Sequence, residues 1–275
     1  MRFTVLTLFP DMIRQGLSTS ILGRAEERGF ISFDIRNIRD YTTERHGHVD
    51  DAPYGGGAGM LMQADPILRC YRSATADLPK APRVIYVTPQ GRQFTQADAK
   101  MFAAEETLLI LCGHYEGVDE RALELLGAEP YSIGDYVLTG GELPAMVMVD
   151  AISRMVPGVL SNQESGEIES FEGNLLEYPQ YTRPEVYEGL RVPPVLLSGD
   201  HKKVAQWRRE QALLRTRERR PDLFAKVELN KADRKFLQAQ AEQSADESAR
   251  LQDQVGQSEI IPPANCNEKI FGGVD

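Results

Sequence analysis

Two histidines and two aspartates lie close together in a polar stretch of the 275-residue chain. These residues, His46, His48, Asp50 and Asp51, are of types that bind metal ions in proteins. A lone His-x-His pair in a loop is a weak signal, however, and a solvated loop accounts for the same pattern. The spacing therefore does not assign a metal site.

Four glycines follow in residues 53–60, Pro-Tyr-Gly-Gly-Gly-Ala-Gly-Met. Glycine-rich loops can surround phosphate groups with backbone N–H donors. This loop lacks the Lys-Ser/Thr pair of a P-loop and the strand context of a dinucleotide-binding fingerprint. We therefore do not predict nucleoside triphosphate binding. A loop of about 20 residues inside a compact domain is usually functional or disordered.

A second glycine-rich stretch, residues 131–144, begins as a predicted strand and ends at Pro144, a residue favoured in the first turn of a helix. Gly134, Gly140 and Gly141 lie between. Glycine tolerates unusual backbone conformations and lets another backbone or a flat ligand approach closely. The spacing leaves two interpretations open, an ordinary glycine-rich connection or a tight backbone wrapped around a ligand.

Alternating strand and helix patterns would position these loops. The apolar run 107–112 is typical of a central parallel strand, and several other segments show helical spacing. The predicted strands are 2–9, 31–37, 83–88, 107–112 and 131–137, and the predicted helices are 11–29, 65–76, 95–105, 119–127 and 141–155.

This alternation predicts an α/β domain with a mainly parallel sheet. Ligands of such sheets bind beyond the carboxyl ends of the strands. The loops 88–91, 113–117 and 132–141 follow three of the predicted strands. The sequence therefore predicts one small-molecule site built from three loops.

The net charge of −10 conceals an uneven distribution. Residues 201–235 contain twelve Lys and Arg against five Asp and Glu, whereas residues 241–275 contain two against seven. Pattern and composition together predict a catalytic domain at 1–157, a linker at 158–175, a small helical domain at 176–242 and an acidic, disordered tail at 243–275.

The three cysteines, Cys70, Cys112 and Cys266, are far apart and form no C-x-x-C motif. This spacing argues against a disulfide framework and against a zinc site. The sequence contains no apolar run long enough to span a membrane and no signal peptide at its start. We therefore expect a cytoplasmic protein without a membrane partner.

Five motifs in this order resemble the bacterial tRNA (guanine-37-N1)-methyltransferases. The resemblance covers about residues 1–240, whereas the tail matches no pattern of that family. The motifs are Pro53-Tyr-Gly-Gly-Gly-Ala-Gly-Met60, Cys112-Gly-His-Tyr-Glu-Gly-Val-Asp-Glu-Arg121, Ser132-Ile-Gly-Asp-Tyr-Val-Leu-Thr-Gly-Gly-Glu-Leu-Pro144, Tyr178-Pro-Gln-Tyr-Thr-Arg-Pro184 and Val192-Pro-Pro-Val-Leu-Leu-Ser-Gly-Asp-His201.

The resemblance implies a deep trefoil knot of the SPOUT type, in which residues 84–90, 109–117 and 132–141 thread one another and hold S-adenosylmethionine. It also implies a homodimer whose active site joins the knot of one subunit to the linker and C-terminal domain of the other. The cofactor contacts of the family map onto Tyr86, Pro89, Gly113, Tyr115, Glu116, Ser132, Ile133, Gly134, Tyr136, Leu138, Gly140, Gly141 and Pro144.

Two further residues follow from the resemblance. Arg154 matches the arginine that stabilises negative charge on O6 of guanine as the N1 proton leaves. The family's general base is an aspartate, but Glu169 occupies that position here. Glutamate keeps the carboxylate with one additional methylene. Glu167, Glu172 and Glu177 are neighbouring competitors for this role.

The basic helix predicted at 201–220 is the expected contact with the anticodon arm of tRNA. The family acts on G37 when base 36 is also G. Magnesium has been linked to its activity, but no metal site is assigned here. Two alternatives remain: a knotted methyltransferase for another RNA atom, such as a ribose 2′-oxygen, and a non-catalytic tRNA-binding dimer.

Overall fold

The computed structural model of the protein describes residues 1–160 and 170–243, without the side chain of residue 172. Its chain forms two compact units, Met1–Ile168 and Glu169–Asp275. The functional assignment of the four predicted segments stays a prediction.

The first unit alternates strands and helices along the chain. Two short 3₁₀ turns, Ile38–Tyr41 and Arg45–Gly47, interrupt this alternation. The elements are β1 (Arg2–Thr7), α1 (Pro10–Leu17), α2 (Ser20–Glu27), β2 (Ser32–Asn37), β3 (Asp50–Asp51), β4 (Leu61–Met62), α3 (Ala64–Thr75), β5 (Arg83–Gln93), α4 (Gln96–Phe102), β6 (Thr107–Cys112), α5 (Glu120–Leu126), β7 (Glu129–Ser132) and α6 (Glu142–Ser153).

Five strands form one sheet in the order β2-β1-β6-β5-β7, with every pairing parallel. The prediction of an α/β fold with a mainly parallel sheet is confirmed. Both faces are covered by helices: one core includes Phe3, Ile110 and Met148, and the other includes Leu6, Leu109 and Ile67. Parallel sheets require such double coverage because their strands are apolar on both faces.

The prediction of one helix over residues 11–29 was wrong, because α1 and α2 are separate. The chain turns sharply between them, and Ser20 has a φ of 54°. Gly23 permits this turn: a Cβ at that position would lie 2.3 Å from the carbonyl oxygen of Ser18. The apolar spacing continues across the turn, so periodicity alone could not detect it.

Strand β5 is longer than predicted, and β7 is shorter. After a bulge between Val87 and Arg92, β5 pairs again with β7, so that Tyr131 is opposite both residues. Strand β7 then ends at Ser132, whose hydroxyl accepts from the Gly134 N–H and donates to its carbonyl oxygen. The predicted strand 131–137 therefore becomes a loop after Ser132.

The second unit is mainly helical around a small core that includes Leu175, Ala212 and Leu213. Asp200 caps its long helix by accepting from the N–H groups of Lys202 and Lys203. A further helix occupies 231–243. The other elements are β8 (Val186–Tyr187), β9 (Leu190–Arg191), α7 (Pro194–Leu197), α8 (His201–Arg219) and α9 (Pro221–Phe224).

Across the described ranges, every helix is too short or too polar to cross a lipid bilayer.

Candidate active site

A cavity of about 300 Å³ lies where β5, β6 and β7 end. Its walls come from the three loops that the sequence singled out, 88–91, 113–117 and 132–141. All thirteen residues predicted to contact the cofactor line it: Tyr86, Pro89, Gly113, Tyr115, Glu116, Ser132, Ile133, Gly134, Tyr136, Leu138, Gly140, Gly141 and Pro144.

Two of these loops are in direct backbone contact. The Gly141 N–H donates to the carbonyl oxygen of Gly113 at 2.8 Å. A Cβ on Gly141 would lie 2.8 Å from the Cα of Cys112 and 2.9 Å from the Gly113 nitrogen. Real Cβ atoms do not approach backbone so closely, so position 141 requires glycine.

The third loop lies equally close to the sheet. A Cβ on Gly91 would lie 2.3 Å from the backbone nitrogen of Tyr131. Residues 88–91 form the bulge in β5, and Gly91 within it packs on the backbone of β7. Such mutual contact fits the threading that the resemblance implies. The knot itself stays a prediction.

The cavity combines apolar side chains with a few polar groups. Tyr86 faces Gly113, where an added Cβ would lie 3.0 Å from the Tyr86 hydroxyl. Burial raises the pKa of Tyr86, so its hydroxyl is neutral near pH 7. Burial also raises the pKa of Cys112, whose thiol lies at the end of β6. The polar groups at the mouth include the side chain of Glu116.

The long loop before α3 forms one side of the cavity. Its Met60 carbonyl oxygen accepts from the Glu116 N–H at 3.0 Å, and Leu61 lines the cavity. Gly59 packs so tightly against Glu116 that an added Cβ would lie 2.3 Å from its Cγ. Gly59 therefore supports the cavity wall.

Sequence reasoning missed several residues of this cavity. Thr88, Gln90 and His114 belong to loops that were predicted, so strand-end position could have identified them. Leu61 and Val118 could not be found in this way. They come together through the isolated pairing of Met62 with Val118, which joins distant parts of the chain.

Arg154, one of the two predicted catalytic residues, does not line this cavity. Arg154 is the half-buried C-cap of α6, and the cavity lies at the other end of that helix. At about 1.5 Å per residue, the 12 residues of α6 separate them by roughly 18 Å. Glu169 lies outside the described residues, so its position stays a prediction.

No cluster of three or more His, Cys, Asp or Glu side chains suited to a metal ion occurs within residues 1–160 and 170–243. His46 and His48 have ring centroids 6.4 Å apart. The structure therefore identifies no metal ligands for the reaction.

The fold and the cavity define a class: an α/β protein with a parallel sheet whose small-molecule site is built from three tightly packed loops at the carboxyl edge. A family model described as tRNA (guanine-1)-methyltransferase TrmD matches residues 1–226. The chain belongs to this methyltransferase family.

Relatives named tRNA (guanine-N(1)-)-methyltransferase are similar over most of their length. The protein of Lachnospira eligens is 60% identical over 224 residues, which is 82% of this chain and 95% of its own. Those of Geobacter sulfurreducens and Clostridioides difficile are each 53% identical, covering 86% and 82% of this chain and 96% and 98% of their own.

Proposed function

We propose that this protein transfers a methyl group from S-adenosylmethionine to N1 of guanine 37 in tRNA carrying G36-G37, giving 1-methylguanosine. The observation that carries the proposal is the convergence of all thirteen family cofactor positions on one cavity lined by the loops 88–91, 113–117 and 132–141. Family membership supports the reaction class and the tRNA substrate. Such a reaction takes place in the cytoplasm.

The residues of the cavity fit S-adenosylmethionine. The cavity volume of about 300 Å³ lies within the range of small-ligand pockets. Tyr86, Ile133 and Leu138 offer apolar contact for an adenine ring, and the exposed backbone of the glycine loops offers N–H and C=O groups for its edge. When bound, the cofactor supplies an electrophilic methyl group on a positively charged sulfur.

The protein's own contribution is proton removal and charge stabilisation. Guanine N1 carries a proton and is a poor nucleophile until that proton leaves. The Glu169 carboxylate accepts the proton as general base. Negative charge then moves to O6, where the Arg154 guanidinium stabilises it. The target base must leave its stack to reach these groups.

A homodimer explains how Arg154 reaches the reaction. Arg154 and the cavity lie at opposite ends of α6, so one subunit does not join them through that helix. Helix α6 is apolar on its outer side as well, with Leu143 and Val147 exposed. Phe9 and Met12 add to the exposed apolar surface of this unit. A second copy would cover this surface and place its Arg154 at the cavity of the first.

Contact with the anticodon arm is assigned to α8. Lys202, Arg217 and Arg219 are exposed on this helix, and Arg208 lies over the ring of Tyr178 at 4.8 Å. Arginine and lysine side chains bind RNA phosphates and confer salt-dependent affinity. A magnesium ion, if required, would accompany the RNA.

The proposal is tested by methyl transfer from labelled S-adenosylmethionine to unmodified tRNA carrying G36-G37, beside the same tRNA with G37 changed to A. We expect label only in the first tRNA, recovered as 1-methylguanosine. Label in both would show a different target atom or position. No label in either, with tRNA bound, would identify a non-catalytic binding protein.

A further inference from the structure

A buried carboxylate lies behind the cofactor cavity. The side chain belongs to Glu142, the first residue of α6, and is only 3% exposed. Its Oε1 accepts a hydrogen bond of 2.7 Å from the hydroxyl of Thr7 at the end of β1. A buried carboxylate is costly unless further hydrogen bonds satisfy its oxygens.

His114, in the cavity wall, has a ring nitrogen that lacks a hydrogen-bond partner within the described residues. This nitrogen, Nδ1, is buried. The ring is held in place by Phe9 and Tyr115, each with its ring centroid 5.0 Å away. The backbone N–H of His114 donates to the Met62 sulfur at 3.2 Å. An imidazole fixed in this way does not turn Nδ1 to solvent.

The carboxylate of Glu142 and the imidazole of His114 both lie beside Gly140. A Cβ on Gly140 would lie 2.5 Å from Glu142 Oε2 and 2.8 Å from His114 Nδ1. Because glycine has no side chain, the space between the two atoms is open to a small movement of either side chain. A neutral imidazole with its proton on Nδ1 donates, and a carboxylate oxygen accepts.

The same cluster connects three separate segments. The Thr7 hydroxyl oxygen also accepts from the Phe9 N–H at 2.9 Å, and the Phe9 ring packs on His114. The end of β1 is thereby joined to the loop 113–117 and to the start of α6. Both of these segments supply walls of the cavity.

We infer that Glu142 is a positioning residue: it accepts a hydrogen bond from Nδ1–H of His114 and thereby holds the loops 113–117 and 139–141 in the conformation that binds the cofactor. Glu142 itself does not line the cavity, so it acts through His114. The inference rests on the proposed function, because it takes S-adenosylmethionine as the ligand.

The first test reads the tautomer of His114 in the full-length protein. The chain has four histidines, so ¹⁵N-histidine labelling with two-bond ¹H–¹⁵N spectra resolves each ring. We expect the Nδ1–H form for His114 in the wild type and the Nε2–H form in Glu142→Met. The same tautomer in both proteins would overturn the inference.

A second variant keeps the tautomer test interpretable if Glu142→Met fails to fold. Gly140→Ala retains Glu142 and inserts a methyl group between the two atoms, where only the ends of side chains must move. It should also shift the proton to Nε2. His46→Phe is the control, because this exposed histidine belongs to another loop, and it should leave the His114 signals unchanged.

The second test measures S-adenosylmethionine binding by calorimetry in Glu142→Met, His114→Phe and the double variant. Each single variant should bind about tenfold more weakly, and the double variant no more weakly than either, because the pair acts as a unit. A hundredfold loss in the double variant would refute the coupling. If the wild type binds no S-adenosylmethionine, the proposed function fails, whereas the tautomer result is independent of it.

Discussion

Glu169 is the proposed general base, and the resemblance implies an aspartate at this position where the chain has glutamate. The carboxylate is kept, and the additional methylene lengthens its reach. A misplacement of about 1 Å can cost 10²-fold in a positioned site. Surrounding segments must therefore accommodate the longer side chain if Glu169 is the base.

We predict that Glu169→Gln slows methyl transfer by about 10²- to 10⁴-fold, because general base catalysis contributes that much. Glu169→Asp should retain activity, since it restores the family residue. Single-turnover transfer to tRNA measures the rate, and calorimetry should show unchanged cofactor affinity. Glu167→Gln is the matched control. Nearly full activity in Glu169→Gln would assign the base elsewhere.

Gly141 tests the contact between the cavity loops. Its φ is −81°, so alanine would cause no backbone strain, but the new Cβ would lie 2.8 Å from the Cα of Cys112. We predict that Gly141→Ala lowers cofactor affinity at least tenfold and lowers Tm. Binding by calorimetry and thermal unfolding measure the two effects.

Gly29→Ala is the control for Gly141→Ala. Gly29 has a φ of +75° with nothing within 4 Å of an added Cβ, so alanine there introduces backbone strain without a clash. We expect a stability loss of about 1–2 kcal/mol and unchanged cofactor affinity. Equal loss of cofactor affinity in both variants would show that Gly141 has no special role.

The inner side of helix α6 packs in the core, whereas Leu143 and Val147 are exposed on its outer side. Val147 is 51% exposed on that outer side. We predict that Val147→Glu prevents formation of the proposed homodimer and abolishes methyl transfer, because the introduced charge would be buried and unpaired in the interface. Analytical ultracentrifugation measures the association. Leu125→Glu, at a 70% exposed apolar residue of α5, should leave both unchanged.

Two arginines of α8 should behave differently because their surroundings differ. Arg217 is exposed, whereas Arg209 pairs at 3.0 Å with Asp233, which is 4% exposed. Arg217→Ala should weaken tRNA binding and reduce the slope of log affinity against log salt by about 0.9. Arg209→Ala should instead destabilise the second unit, because it leaves a buried carboxylate unpaired.

The pH dependence of unfolding separates these effects. Burial raises the pKa of Asp233, but hydrogen bonds from Arg209 and the Asn230 N–H more than offset this, so the pKa is lowered overall. The stabilisation is therefore present above the usual carboxyl pKa and is lost as pH falls through the lowered one. Arg209→Ala should flatten this dependence below about pH 4, and Arg217→Ala should not.

Local patterns predicted the elements but not the points where distant segments meet. The strand 107–112 was predicted with its observed bounds because an apolar run is itself the signal for a buried parallel strand. The return of β5 to pairing at Arg92 depends on Tyr131, and the burial of Glu142 depends on Thr7, 135 residues away. No pattern within a short window contains such information.

At the scale of the whole molecule, an acidic protein must bind a polyanion. The net charge is −10, and residues 244–275 contribute six acidic and two basic side chains to it. Charges separated by more than about 8 Å are largely screened at physiological ionic strength. The basic helix α8 can therefore act locally even though the total charge is negative.

Deletion of residues 244–275 tests whether the acidic tail matters for this binding. If the tail only contributes solubility, the truncated protein should bind tRNA and transfer methyl groups as the full chain does at 0.15 M salt. Screening is weak at about 0.01 M salt, where the Debye length reaches about 30 Å. Tighter tRNA binding by the truncated protein that appears at low salt and persists at 0.15 M would show that the tail competes with RNA for the basic helix. If the truncated and full-length proteins bind tRNA with equal affinity at each of the two salt concentrations, the recognition of RNA belongs to residues 1–243 alone.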